Sequence, residues 1–205
     1  MANTDAAFGL RPVKHRNGAP YNGAVRPYYI PSSYATALFI GDPVVKTGTA
    51  NTAEVTVPGA GVFHPGTMPE INKATAGDGN AITGVIVSFA SDAENEVYNA
   101  ASTERVAFVA DDPDLVFEIQ ADGTLAATSV GLNAVLIYTN SGSTSTGLSG
   151  VELDTTSDVP AADASNQLTI LGIPNREDNS DLSSANVNVL VSINNHTEAH
   201  AALGI

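Results

Sequence analysis

An all-β fold, a barrel or a sandwich with at most one or two short helices, is what this sequence predicts, and three observations predict it. Short β-branched runs of four to eight residues recur along the chain, Gly, Asn, Asp and Pro cluster where the runs end, and helical periodicity is scarce. At 205 residues the chain suits one domain, or one domain with an appendage, and its 43% hydrophobic content supports a real core.

The strand-like runs cover residues 35–40, 43–47, 54–57, 82–89, 104–110, 115–120, 132–139, 150–153, 167–173 and 187–194. Turn chemistry separates them at Gly41-Asp42-Pro43, Gly77-Asp78-Gly79-Asn80, Asp111-Asp112-Pro113-Asp114, Asp122-Gly123 and Asn140-Ser141-Gly142. In the last run Val187, Val189, Val191 and Ile193 alternate onto one face and Leu190 faces the other way. In the 82–89 run Val85, Ile86 and Val87 are consecutive, the pattern of a strand covered on both sides. Residues 91–103 form the best helix candidate, with Ser91 or Asp92 as cap and Glu94 and Glu96 near the positive end of its dipole. Residues 140–147, rich in Ser, Thr and Gly, read as a mobile hairpin tip.

Charge divides the chain. Residues 1–46 hold five Lys and Arg against two acids (+3), and residues 47–205 hold three against twenty (−17), giving the net −14. The first stretch also carries four of the six tyrosines. Its Arg11-Pro12, Ala19-Pro20, Arg26-Pro27 and Ile30-Pro31 steps disfavour helix and remove backbone donors. Residues 1–34 therefore read as an extended N-terminal arm before a β-rich body at 35–205. Phe8, Leu10, Tyr21, Tyr28, Tyr29, Ile30 and Tyr34 are too apolar for a solvated tail and need a surface to cover. That surface is either the chain's own domain, with the segment as edge strands, or another protein, and the second is the favoured reading. On it, removing residues 2–30 leaves the body folded, and Phe8, Leu10, Arg11, Lys14, Arg16, Tyr21, Arg26, Tyr28 and Tyr29 form the attachment site.

The same balance bears on partners. Beyond residue 46 only Lys73, Arg105 and Arg176 could meet phosphates, so nucleic acid is not an expected partner. No apolar run approaches the ~20 residues of a membrane span, and the first residues lack the charged and apolar regions of a signal peptide. Neither a membrane partner nor export is expected. The absence of cysteine excludes disulfides, thiolate catalysis and Cys-ligated zinc. With only 15% charged residues, much of the exterior must be Ser, Thr, Asn, Gly and Ala, a surface that costs little to desolvate.

Candidate chemistry is thin. His196 and His200 stand four apart, a metal-ligand spacing on a helix, but at a chain end. Asp111, Asp112 and Asp114 could offer oxygens to Ca²⁺, yet Asp-Pro-Asp between strands is ordinary turn chemistry. Glu94/Glu96 and Glu152/Asp154 are carboxylate pairs of the kind that chance supplies among 22 acids. No Gly-x-Ser-x-Gly elbow or phosphate-cradling loop occurs, and His15 and His64 lie in Pro/Gly-rich loops without an attached nucleophile. Asn195-His196-Thr197 matches a three-residue glycosylation pattern that carries no weight alone. Neither a catalytic activity nor a cofactor or metal is expected.

Several phrases carry a resemblance: Ala7-Phe8-Gly9-Leu10-Arg11-Pro12-Val13-Lys14-His15, Asn17-Gly18-Ala19-Pro20-Tyr21-Asn22-Gly23-Ala24, Tyr28-Tyr29-Ile30-Pro31 and Ala37-Leu38-Phe39-Ile40-Gly41-Asp42-Pro43-Val44. Two more come near the end, Ile170-Leu171-Gly172-Ile173-Pro174-Asn175-Arg176-Glu177-Asp178-Asn179 and Val189-Leu190-Val191-Ser192-Ile193-Asn194-Asn195-His196. Together they resemble the capsid decoration, or cement, proteins that tailed bacteriophages encode beside the major capsid protein. The resemblance implies a β-rich (jelly-roll or β-tulip-like) homotrimer on the exterior of the phage head, assembled in the host cytoplasm. Its partners would be the major capsid protein and further copies of itself. A head or tail fibre module that binds host glycans is the alternative. Glycan platforms favour exposed Trp and Tyr, whereas this chain has no Trp and only Tyr98 and Tyr138 outside the arm.

Overall fold

The computed structural model describes residues 3–91 and 97–199. In chain order the strands are β1 (Arg11–His15), β2 (Arg26–Ile30), β3 (Pro43–Ala50), β4 (Val55–Val57), β5 (Gly61–Phe63), β6 (Pro69–Lys73) and β7 (Gly84–Phe89). They continue as β8 (Arg105–Ala110), β9 (Leu115–Gln120), β10 (Asn133–Ala134), β11 (Leu136–Ile137), β12 (Glu152–Leu153), β13 (Leu168–Gly172) and β14 (Asn188–Ile193). The helical content of the described residues is two 3-10 turns, Ala127–Ser129 and Glu177–Asn179, so the chain is all-β as its pattern predicts.

Two sheets organise the molecule. β2, β6, β3, β7 and β8 close into a barrel, and β1, β9, β14, β13 and β10 form a five-stranded antiparallel sheet in that order. Within the barrel only the β2–β6 contact, Tyr29 opposite Glu70, is parallel. Two small hairpins, β4–β5 and β11–β12, lie beside these.

Two main cores follow from side-chain alternation. Tyr28, Ile30, Leu38, Val44, Ile71, Ile86, Ala107 and Val109 fill the barrel. The sheet's inner face, with Phe117 and Ile119 of β9, Leu168 and Ile170 of β13, Val189, Val191 and Ile193 of β14 and Val187 just before it, packs against Val85 and Ala110 of the barrel wall. β7 lies between the two: Val85 serves the inter-sheet core and Ile86 the barrel interior, which is why its apolar residues run consecutively.

The N-terminal segment is part of this body. β1 pairs with β9 through Arg11 opposite Glu118 and His15 opposite Leu115, and β2 pairs with β8 along its whole length. Leu10, Tyr28 and Ile30 are 1%, 3% and 0% exposed. Each such burial contributes roughly 1.5–3 kcal/mol, so three of them rival the ~5–15 kcal/mol net stability of a whole domain. The strand pairing runs across the boundary expected after residue 34, and removal of residues 2–30 is expected to disrupt the body instead of leaving it folded. The apolar residues that needed a surface find it in their own domain, with β1 as an edge strand of the sheet and β2 as a stave of the barrel.

Other local expectations also change. Residues 35–40 form only isolated bridges, Leu38 with Asn99 and Ile40 with Leu148. β5 and β6 arise where no run was predicted. β6 reads Pro-Glu-Ile-Asn-Lys, with one fully buried apolar residue, Ile71, between polar neighbours. Of the expected helix, residues 92–96 lie outside the described residues, and residues 97–103 are bends, a bridge at Asn99 and a turn with Ser102 at φ 58°. The 140–147 tip touches the body at its two glycines, where a side chain on Gly142 would collide with the Phe39 ring and one on Gly147 with the Val97 carbonyl, while Thr144, Ser145 and Thr146 stay exposed.

Candidate docking surface

The outer face of the five-stranded sheet gathers cations. Across β1, β9 and β14 the register places Arg11 opposite Glu118 and Glu118 opposite Leu190, with Lys14 opposite Val116 in a neighbouring row. Glu118, 3% exposed, is held by Arg11 Nη2 through Oε2 and by Arg176 Nη2 through Oε1, both at 2.8 Å. Arg11 also lies over the Phe8 ring, 4.9 Å from its centroid. This ion triad offsets the burial of the Glu118 carboxylate, which alone would be costly.

Beside it, Lys14, His15 and Arg16 line one side of a cavity of about 310 Å³ whose floor and far side are Val116, Leu171 and Leu190. Lys14 and Arg16 are exposed and have no carboxylate within ion-pair distance among the described residues. The other side-chain cations are engaged. Arg26 meets Asp111 at 3.3 Å, Lys73 meets buried Asp42 at 2.9 Å, Lys46 meets Glu198, and Arg105 donates to the carbonyls of Ala90 and Tyr98.

From Arg16 the chain runs through an exposed loop to β2. Asn17 Oδ1 accepts from Ala19 N at 2.9 Å, and Asn22 Oδ1 from Ala24 N at 3.1 Å, so the two Asn-Gly-Ala phrases form matching Asx turns. The loop folds back on β1 through His15 N to Ala19 O and Tyr21 N to Val13 O, which occupies part of the sheet's free edge.

The nine residues expected to make the attachment site thus separate into two groups. Leu10 and Tyr28 are core residues. The Tyr28 hydroxyl donates to Asp111 at 2.7 Å, and burial first, then that bond, pushes its pKa up. Tyr29 donates to Glu104 at 2.7 Å and is pushed up to about 12, again by burial first. Tyr21, half-buried, donates to the Ala24 carbonyl at 3.0 Å. Phe8, Arg11 and Arg26 are tied into internal contacts, which leaves Lys14 and Arg16 as the pair with unspent charge. Sequence reasoning missed the other wall of the groove, Val116, Leu171 and Leu190. Alternation places Leu190 outward, but which distant strand lies beside β1 depends on topology.

The remaining candidates serve structure. His196 Nδ1 accepts from Glu198 N at 2.9 Å, and His200 lies outside the described residues. Asp111 takes Tyr28 and Arg26, while Asp112 accepts from Asp114 N at 2.8 Å in the turn. Among the described residues no group of three His, Asp or Glu is placed to hold a metal ion. Glu152 accepts from Asn140 and Thr139, Asp154 accepts from the backbone of Thr156 and Ser157, and Glu94 and Glu96 are outside the described residues. His15 faces Asp112 at 3.4 Å and His64 faces Glu54 at 2.9 Å.

Fold and surface together define an all-β barrel-and-sheet protein with a basic groove on an acidic molecule. No family model, curated protein or solved structure matches the chain.

Proposed function

We propose that the protein is a structural component of a tailed-bacteriophage head: a decoration protein, acting as a homotrimer, that binds the major capsid protein on the outer surface of the shell and ties capsomers together. The reading starts from the phrases quoted above, and the observation that carries it furthest is the unpaired Lys14–Arg16 face. Acidic residues outnumber Lys and Arg 22 to 8, so two neighbouring cations without a partner among the described residues are not explained by any shortage of carboxylates. They suit an external acidic surface.

The fold supports cementing mechanically. The loop that follows Arg16 joins β1 of the sheet to β2 of the barrel, so a load applied there passes into both sheets. Thermodynamically, a protein that binds the assembled shell and not its separated subunits stabilises the shell by the free energy of binding. That is about 2.7 kcal/mol per site at a free concentration one hundred times Kd. Symmetric copies multiply the effect.

The glycan-binding alternative has little to stand on in the body's aromatics. Tyr98 is stacked on Phe39 at 5.2 Å, and Tyr138 lies under the Lys73 ammonium with its hydroxyl on the Ala74 carbonyl.

The test is to mix purified protein with expanded, undecorated shells of the phage that encodes it. Saturable binding and a higher disruption temperature are expected. Failure to co-sediment at micromolar concentration overturns the reading. Light scattering that gives a monomer, both free and after release from particles, overturns the trimer.

A further inference from the structure

We infer that the groove between β1 and the outer sheet face receives an extended acidic segment of the shell protein, its carboxylates meeting Lys14 and Arg16 and an aliphatic side chain seated between Leu171 and Leu190. The identity of the partner rests on the shell-binding reading above; the chemistry of the groove does not.

Size fixes the kind of ligand. About 310 Å³ is at the small end of ligand sites, enough for a few side chains and too little for a folded element. The groove spans from Lys14 on β1 past Val116 on β9 and Leu190 on β14 to Leu171 on β13. Three interstrand steps at about 4.8 Å make roughly 14 Å, the reach of about four extended residues.

Composition fixes the chemistry. No carboxylate lines the groove, and its cations are unpaired among the described residues. Leu171 is 37% exposed, so apolar surface remains to be covered. A phosphate-binding groove would offer hydrogen-bond donors where the leucines stand. An acidic peptide that carries an aliphatic residue a few positions along satisfies both ends of the groove at once, its carboxylates at Lys14 and Arg16 and its aliphatic side chain at Leu190 and Leu171. Charge complementarity also predicts faster encounter at low salt.

Two experiments on the full chain test this. In the first, a fluorescein-labelled acetyl-Asp-Leu-Glu-Leu-Asp amide is titrated by fluorescence polarisation at low salt. Saturable binding is expected, weakened at least tenfold in K14E/R16E, kept in K14R/R16K and weakened several-fold in L171S. The charge variants should melt like the wild type, since neither side chain has an ion-pair partner among the described residues to lose. Equal affinity of K14E/R16E and wild type overturns the proposal, as does tighter binding of an oligonucleotide of equal charge. In the second, the protein on expanded shells is treated with a zero-length carbodiimide, which joins an amine to a carboxylate in contact. A Lys14 link to an Asp or Glu of the shell protein is expected. A Lys14 link to another copy of this chain makes the occupant a second copy and overturns the proposal. Shell decoration without peptide binding or a Lys14 link overturns the groove and leaves the shell reading standing. Peptide binding without decoration keeps the groove's chemistry and overturns the shell as its partner.

Discussion

Gly9 and Gly41 meet backbone to backbone: a methyl group on Gly9 would lie 2.5 Å from the Gly41 carbonyl oxygen, and one on Gly41 would lie 2.5 Å from the Phe8 carbonyl oxygen. Both residues have positive φ, +74° and +92°. Leu10 N donates to Gly41 O at 2.9 Å and Gly41 N donates to Ile86 O at 2.8 Å, so this contact fastens the N-terminal segment to β7. The next residue, Asp42, is fully buried and accepts from Ser149 Oγ, Phe39 N and Lys73 Nζ.

Substituting Gly41→Ala combines left-handed strain with a steric clash. It should cost about 2–4 kcal/mol, read as a lower urea midpoint at unchanged slope. A loss below about 0.5 kcal/mol, the range of neutral surface changes, would contradict the contact.

Deleting residues 2–30 should unfold the protein. The deletion takes β1 from the sheet, opens the barrel at β2 and exposes what Leu10, Tyr28 and Ile30 cover. Collapse of the near-ultraviolet circular dichroism, with dye binding to exposed apolar surface, is the expected result. A truncated chain with native-like spectra and cooperative melting would restore the separate arm.

Tyr28→Phe isolates one buried hydrogen bond. Its hydroxyl donates to Asp111, which keeps Arg26 when the hydroxyl is gone. A loss of about 1.5–3 kcal/mol is expected, the range for a bond to a charged group. Asp111→Asn should cost less when Tyr28→Phe is already in place than when it is made alone, because one of the two bonds it weakens is then missing. A double-mutant cycle over positions 28 and 111 measures that coupling, and strictly additive losses would mean that the hydroxyl and the carboxylate do not interact.

How far the sequence carries depends on the range of the interactions involved. β14 and β7 are legible because their alternating and consecutive apolar patterns are local consequences of being covered on one side or two. β1 and β2 read as an arm because prolines and charges dominate their composition, while the strands that pair with them, β9 and β8, are far away in sequence. The 132–139 run reads as one strand but divides: Asn133 and Ala134 pair with β13, whereas Leu136 and Ile137 pair with β12. The same limit applies to the docking surface. Lys14 and Arg16 stand out by charge alone, but that they lack a carboxylate among the described residues depends on where strands distant in sequence place the acids.

His196 gives a pH dependence whose sign follows from geometry. Its segment bridges to Ile82, and the ring is 3% exposed. Nδ1 accepts from Glu198 N, so the neutral ring carries its proton on Nε2, which is buried without a partner. Protonating Nδ1 removes that acceptor and places a cation in the interior. Burial is the largest influence and pushes the pKa down; Asp111, Glu198 and Asp112 oppose it, and Lys46 adds to it. A histidine whose folded pKa is depressed leaves the unfolded chain holding more protons below about pH 6.5, so stability falls as pH drops through that window. The slope from one such group cannot exceed about 1.4 kcal/mol per pH unit. His196→Asn keeps an acceptor near the Glu198 amide and cannot titrate. Urea midpoints at pH 7.5, 6.5 and 5.5 should therefore fall more steeply for the wild type than for H196N, and the difference between the two removes whatever His15, His64 and the carboxylates contribute. Parallel profiles would mean that the surrounding carboxylates balance burial at this ring, and a wild type that gains stability relative to H196N on acidification would mean that they outweigh it.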